Sequence, residues 1–145
     1  MERHSTQRSP DGSLVIAQVS TAGAPTPGGP YSQAVAAGDL LFLSGQRPVD
    51  PETGEIPAGV TAQTRAVLRN LAHVLTAGGS APDLVVKVTV HLADIAFFDE
   101  FNAVYSEFFA PPFPARTTVG SSLRGILVEV DAIAVRSGPG RGAQP

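Results

Sequence analysis

Several residue types and patterns are missing from this chain of 145 residues, and each absence excludes a class of protein or site. There is no cysteine, which excludes a disulfide framework and a thiolate metal site and favours a reducing compartment. The net charge is -3, whereas a general nucleic-acid binder needs a basic surface. No apolar run reaches membrane-spanning length, and the N-terminus lacks the pattern of a secretory signal. We therefore expect a cytoplasmic protein with no nucleic-acid or membrane partner.

Motifs of the common enzyme classes are also missing. The chain has no phosphate-binding glycine loop, no Gly-x-Ser-x-Gly and no His-Glu-x-x-His. Its three histidines, His4, His73 and His91, are scattered and show no metal-ligand spacing. We interpret His73 as a helix-surface residue and His91 as a solvated strand residue. The sequence therefore predicts no metal site.

The length and the polar ends of the chain predict one domain with two tails. Residues 1–12 are polar and aperiodic, and we expect a flexible tail there. Residues 13–136 are expected to form the domain, since this length can bury a substantial core. Residues 137–145 are rich in glycine, proline and arginine, which predicts disorder.

Hydrophobic periodicity predicts elements in the order β, β, β, α, β, α, β, β. The predicted strands span residues 14–19, 31–36, 40–46, 86–92, 114–119 and 128–135, and the predicted helices span 60–77 and 97–109. The second and third strands form a hairpin that turns at Gly38-Asp39. The alternation of the fourth strand places Val86 on its buried face, and the first helix carries Gln63 and Asn70 off its apolar stripe. One sheet with both helices on one face would bury both apolar stripes.

Two strands near the C-terminus carry the residues of greatest chemical interest. Side chains alternate along a strand, so Arg116 and Thr118 point the same way. The Gly/Ser-rich segment 120–125 is typical of a hairpin connection. A turn between Ser122 and Leu123 would place Arg116 opposite Glu129 on one sheet face. Spacing alone favours a structural ion pair over a functional site for these two residues.

Six segments of the chain occur in the order found in one family. They are Gly29-Pro30-Tyr31-Ser32-Gln33-Ala34, Leu43-Ser44-Gly45-Gln46, residues 48–57, Asn102-x-x-Tyr105-x-x-Phe108-Phe109, Phe113-Pro114-Ala115-Arg116 and residues 128–134. Through them the chain resembles the Rid (RidA/YjgF, reactive intermediate deaminase) family. The resemblance implies a chorismate-mutase-like α/β fold, a homotrimer with a site at each cleft between subunits, and no metal or organic cofactor. The implied activity is hydrolysis of 2-imino or enamine acids to 2-oxo acids and ammonia.

The resemblance also implies roles for particular residues. Arg116 would hold the substrate carboxylate by two parallel hydrogen bonds, and Glu129 would position water and transfer protons. The further residues expected at the substrate are Tyr31, Ser44, Gly45, Asn102 and Thr118. The structural alternatives are that Tyr31 packs at a subunit interface and that Ser44 satisfies a strand end.

Two departures from the family pattern bear on activity and substrate. Thr118 stands where many of the deaminases have cysteine, and the link from Arg116 to Glu129 is shorter and lacks the usual Leu-Pro turn. In that link Arg124 is either a second positive charge at the pocket rim or a solvated loop residue. Three functions stay open: an imine deaminase, a Rid-fold protein that binds a carboxylate ligand or protein without turnover, and a ribonuclease. The acidic balance of the chain disfavours the ribonuclease.

Overall fold

A computed structural model describes residues 10–13 and 15–137 of the chain. The tails predicted for residues 1–12 and 137–145 therefore lie almost entirely outside the described residues. The described elements are β1 (Ile16–Val19), β2 (Ala34–Ala37), β3 (Leu40–Gln46), α1 (Val60–Ala77), β4 (Val85–Leu92), α2 (Phe98–Phe108), β5 (Ala115–Gly120) and β6 (Val128–Val135). Neither of these two helices is long and apolar enough to cross a membrane. The predicted order of strands and helices is confirmed.

The six strands form one mixed sheet in the order β1-β2-β3-β6-β4-β5. Only β4 and β5 run parallel, and every other neighbouring pair is antiparallel. Burial alternates strictly along β6, where Val128, Val130, Ala132 and Ala134 are buried and the residues between them are half-buried. Alternation of this kind is typical of a sheet with a core on one side. Both helices cover that side, which we call the helix face, and the other side is the open face. The predicted fold class, a single mixed sheet with two helices, is confirmed.

The predicted hairpin between β5 and β6 is wrong. β4 lies between these strands, so Arg116 is paired with Val88 and Glu129 is paired with His91. The physical reason is the position of α2, which follows β4 and covers the sheet with its aromatic stripe. The chain then returns as β5 parallel to β4, as a helical crossover requires. β5 therefore becomes an edge strand, and β6 fills the centre between β3 and β4.

A bulge in β4 corrects the predicted alternation at the start of this strand. The pairing with β6 shifts between Val85 and Lys87, and a bulge of this kind inserts one extra residue. Val85 is consequently buried at 7% exposure, whereas Val86 is 46% exposed. From Val88 onward the alternation follows the prediction.

Two polar residues of α1 that were predicted to lie off its apolar stripe are buried. Gln63 accepts a hydrogen bond from the Leu127 amide at 2.8 Å and donates one to the Pro57 carbonyl at 2.9 Å. Asn70 donates to the carbonyls of Arg47 and Val49, both at 2.9 Å. Buried polar side chains are tolerated when they are hydrogen-bonded, and these two fix the loops that follow β3 and precede β6. Apolar periodicity does not detect residues of this kind.

Arg136, just after β6, is buried at 1% exposure and joins three parts of the fold. Its Nε donates to the carbonyl of Gly78 at the end of α1, at 3.0 Å, and Nη1 donates to the Gly38 carbonyl in the β2–β3 turn, at 3.2 Å. Burial lowers the pKa of Arg136, and the nearby charge of Asp39 opposes that shift. The guanidinium therefore serves as a buried donor to main-chain carbonyls.

Replacing Arg136 with methionine leaves these carbonyls without donors in a buried place. We expect Arg136→Met to lower the free energy of unfolding by about 2–4 kcal/mol, measured by denaturant unfolding at constant protein concentration. The matched control is Arg65→Met, because Arg65 pairs with Glu107 at 2.6 Å with both side chains more than half exposed. The control should cost less than about 1 kcal/mol. Equal losses in the two variants would contradict the structural role of Arg136.

Candidate functional site

Arg116 lies on the helix face, where its guanidinium packs against the aromatic stripe of α2. The guanidinium carbon is 4.6 Å from the centre of the Tyr105 ring and 5.5 Å from that of Phe98. These are favourable cation–π distances. Nη2 also donates to Asn102 Oδ1 at 2.6 Å, which fixes the rotation of the guanidinium. Asn102 therefore contacts Arg116, and its role at the substrate stays a prediction.

Two buried hydroxyl groups near Arg116 have no hydrogen-bond partner among the described residues. They are Tyr105 Oη and Thr118 Oγ1, and Thr118 points to the same face as Arg116. Within the described part of the chain, no carboxylate forms an ion pair with Arg116. Buried polar atoms without a partner are rare, so two of them on the side of the sheet that carries Arg116 make this region a candidate place for a polar ligand. We call Asn102, Tyr105, Arg116 and Thr118 the arginine side of the site.

Glu129 lies on the open face, in close contact with Gly45. A β-carbon at position 45 would stand 2.8 Å from Oε2 of Glu129, so any other residue there would displace the carboxylate. Gly45 also lines a cleft of about 130 Å³ together with Tyr31 and Arg47. The Tyr31 hydroxyl accepts a hydrogen bond from the Gly28 amide at 3.2 Å and is half exposed. We call Tyr31, Gly45, Arg47 and Glu129 the glutamate side of the site.

Ser44 precedes Gly45 in β3 and uses its hydroxyl within the fold. Its Oγ donates to the Ser32 carbonyl at 2.6 Å, and its amide donates to the Gln33 carbonyl at 2.9 Å. The structure thus gives Ser44 the strand-end bonds that were its structural alternative. The hydroxyl oxygen can still accept a hydrogen bond from a ligand.

Within one chain the two sides of the site lie on opposite faces of the sheet. Arg116 pairs with Val88, whose side chain is fully buried on the helix face. Glu129 pairs with His91, three positions further along β4, and an odd offset reverses the face. The expectation that Arg116 and Glu129 share one face is therefore wrong. The fold does bring Asn102 and Thr118 to Arg116, and Gly45 to Glu129.

His91 was expected to be solvated, but it is half-buried and has two side-chain neighbours. Its Nδ1 lies 2.9 Å from Ser121 Oγ, and its Nε2 lies 3.6 Å from Asp131 Oδ2. His73 is exposed on α1 as predicted and is bonded through Nδ1 to the Gly23 carbonyl. Among residues 10–13 and 15–137 no group of three or more histidine, aspartate or glutamate side chains could hold a metal ion.

Comparison with known proteins places the chain in a family. The model of the family described as Endoribonuclease L-PSP, the YjgF/Rid family, matches residues 21–136. The chain belongs to the Rid family.

Individual Rid relatives match nearly their whole length. A RutC family protein of Pyrococcus horikoshii is 47% identical over 119 residues, which are 80% of this chain and 94% of the relative. A 2-iminobutanoate/2-iminopropanoate deaminase of Capra hircus is 44% identical over 127 residues, 86% of this chain and 93% of the relative. The crystal structure of E. coli TdcF with bound serine has a TM-score of 0.78 and 38% identity, covering 83% of this chain and 99% of that one.

Two residues in the candidate site were not identified from the sequence. Tyr105 lies in one of the six family segments, but its spacing fits the apolar stripe of α2 and no role at the site was predicted for it. Its hydroxyl was the missed signal, since a buried tyrosine usually finds a hydrogen-bond partner. Arg47 follows the Ser44-Gly45-Gln46 segment directly, but no local pattern distinguishes it from a solvated arginine.

Tyr105 offers a titration that reports on the arginine side. Burial raises the pKa of Tyr105, and the positive charge of Arg116 opposes this only in part. The fold therefore favours the neutral phenol, and this stabilisation is complete below the ordinary tyrosine pKa near 10 and is lost as pH rises through the raised value. We expect a phenolate absorbance step above pH 10 that is absent in Tyr105→Phe and retained in Tyr31→Phe. If the step is lost in Tyr31→Phe and retained in Tyr105→Phe, the assignment of the raised pKa to Tyr105 is wrong.

Proposed function

We propose that this protein hydrolyses 2-imino and enamine acids to 2-oxo acids and ammonia, without a metal or organic cofactor. The observation that carries the proposal is the state of Arg116: a guanidinium oriented by Asn102 and by aromatic rings, with no carboxylate partner among the described residues. Such a group is suited to bind the carboxylate of a small acid through two parallel hydrogen bonds. The deaminase relative at 44% identity supports the reaction, and the serine in TdcF supports an amino-acid-sized ligand.

In the proposed reaction Arg116 binds the substrate carboxylate and Glu129 handles the protons. Glu129 accepts a proton from water as the water oxygen attacks C2, and passes this proton to the imine nitrogen. The resulting carbinolamine then loses its hydroxyl proton to the same carboxylate. The carboxylate protonates the nitrogen as the C–N bond breaks, so that one imino acid and one water give one 2-oxo acid and one ammonia.

We further propose that each site forms between two protomers of a homotrimer. Support comes from the positions of Arg116 and Glu129 on opposite faces, since neither side can complete the other within one chain. The open face also carries large half-exposed apolar side chains, including Leu40 at 39% and Phe42 at 42% exposure. Contiguous apolar surface of this kind is typical of a protein interface. In this arrangement Arg116 of one protomer faces Glu129 of its neighbour.

The other candidate functions have less support from the residues present. A protein that only bound a carboxylate ligand would need Arg116. It would not need Glu129, whose carboxylate has room only because residue 45 is glycine. A ribonuclease would need a basic surface, and this chain has a net charge of -3.

The absence of cysteine favours a reducing compartment, so we propose that the protein acts in the cytoplasm.

Loss of the guanidinium should remove most of the activity. An amino-acid oxidase generates imino acids in situ, semicarbazide competes for them, and ammonia or 2-oxo acid release is measured. We expect Arg116→Ala to lose about 3 kcal/mol or more of transition-state stabilisation. Arg65→Ala is the matched control, because Arg65 is exposed on α1, and it should keep the wild-type rate. Near-native rates in a folded Arg116→Ala variant would refute the mechanism.

Mixed oligomers test whether the two sides come from different protomers. Arg116→Ala and Glu129→Gln chains with different tags are co-expressed, and each variant alone should be inactive. In randomly mixed trimers a site needs the intact arginine of one chain and the intact glutamate of the next, so about a quarter of wild-type activity should return. If hetero-trimers form, as seen by native mass spectrometry, but no activity returns, the inter-subunit site is wrong. In that case the rates of Arg116→Ala and Glu129→Gln alone still test whether these two residues take part in the reaction.

A further inference from the structure

Arg47 lies in the cleft on the glutamate side but has no role in the proposed reaction. The cleft is lined by Tyr31 and Gly45, which also contacts Glu129, and by the apolar residues Pro25 and Val49. Arg47 is half-buried in this lining. A half-buried cation that shares a cleft with Gly45, the residue in contact with the candidate catalytic Glu129, requires an explanation beyond solubility.

The position of Arg47 is fixed at both its main chain and its side chain. Asn70, which is buried on α1, donates to the carbonyls of Arg47 and Val49, both at 2.9 Å. The guanidinium Nη2 of Arg47 donates to the carbonyl of Arg124 at 2.9 Å, in the loop that connects β5 to β6. A side chain held in this way loses little conformational entropy when it binds a ligand.

The guanidinium of Arg47 has donors left for a ligand. A guanidinium carries five N–H groups, and the contact with Arg124 uses Nη2. No aspartate or glutamate in residues 10–13 and 15–137 forms an ion pair with Arg47. Arg47 therefore presents a positive charge with no carboxylate counterion within the described part of the chain.

The charges of the site show which substrate would use Arg47. A simple 2-imino acid has one carboxylate and one imine nitrogen. In the proposed reaction Arg116 binds the carboxylate and Glu129 protonates the nitrogen. Such a substrate contains nothing for a second arginine. A substrate with an additional acidic group at the end of its side chain would supply the missing partner.

We propose that Arg47 is a specificity-determining residue that binds a second carboxylate, so that the preferred substrates are 2-imino dicarboxylic acids. These are the imines formed by oxidation of acidic amino acids such as aspartate and glutamate. The proposal rests on the proposed deaminase function, and it names the substrate class of the same site. The Arg124 carbonyl positions the guanidinium of Arg47, and the Arg124 side chain has no part in binding the substrate.

The test compares imines generated from aspartate and glutamate with the imine from alanine, using a matching oxidase for each. The wild-type protein should show a higher kcat/KM for at least one dicarboxylic imine than for the alanine-derived imine. Arg47→Gln should lower this preference ratio about tenfold or more, since the lost contact is charge-assisted. Arg124→Gln removes a nearby charge but keeps the carbonyl that holds Arg47, and it should change the ratio less than about threefold.

A second measurement separates failure of this inference from failure of the proposed function. Calorimetry compares binding of oxaloacetate, 2-oxoglutarate and pyruvate to the wild-type protein and to Arg47→Gln. Weaker dicarboxylate binding in Arg47→Gln supports the role of Arg47, and it does so even if no imine is hydrolysed and the deaminase proposal fails. Imine turnover with no dicarboxylate preference, or an unchanged ratio in Arg47→Gln, overturns the inference about Arg47 and leaves the deaminase standing.

Discussion

The central position of β6 determines how the remaining parts of this structure are arranged. Because β6 lies between β3 and β4, its buried residues complete the core against both helices, while Glu129 and Asp131 are carried on the open face. In this order β4 separates β5 from β6, and β5 is left at the edge of the sheet. Side-chain alternation then places Arg116 and Glu129 on opposite sides of one sheet. A chain built in this way can hold both groups rigidly and yet cannot bring them together alone.

Each group is supported by a different kind of neighbour. Arg116 rests on aromatic rings that also belong to the core, so its position depends on the packing of α2. Glu129 depends instead on the absence of a side chain at Gly45. Tyr105 and Thr118, on the same side of the sheet as Arg116, carry buried hydroxyl oxygens for which the described residues supply no hydrogen-bond partner. In an ordinary core these hydroxyls would reduce stability, so their presence beside Arg116 is consistent with a site that a ligand completes.

Local patterns predicted most of the elements, because periodicity and turn residues act over short distances. The turn at Gly38-Asp39 and the bounds of the helix Val60–Ala77 were correct for this reason, whereas β2 begins at Ala34 and not at residue 31 as predicted. Strand neighbours are different, since the order of strands depends on what α2 must cover and not on the loop between β5 and β6. The buried Gln63 and Asn70 were missed for a related reason: they satisfy main-chain groups of distant loops. The residues of the candidate site were predicted from family resemblance, whereas their division between two faces follows from the strand order, which no local pattern encodes.

The hydrogen bonds by which Asn70 holds the loop after β3 have a consequence for the evolution of residue 47. Asn70 binds the carbonyl oxygens of residues 47 and 49, and every amino acid supplies a carbonyl of this kind. The path of the loop is therefore independent of which side chain residue 47 carries. A single substitution at that position can change the side chain that lines the cleft while Asn70 keeps the loop in place. An arrangement of this sort allows related proteins to diversify their substrates without rebuilding the scaffold.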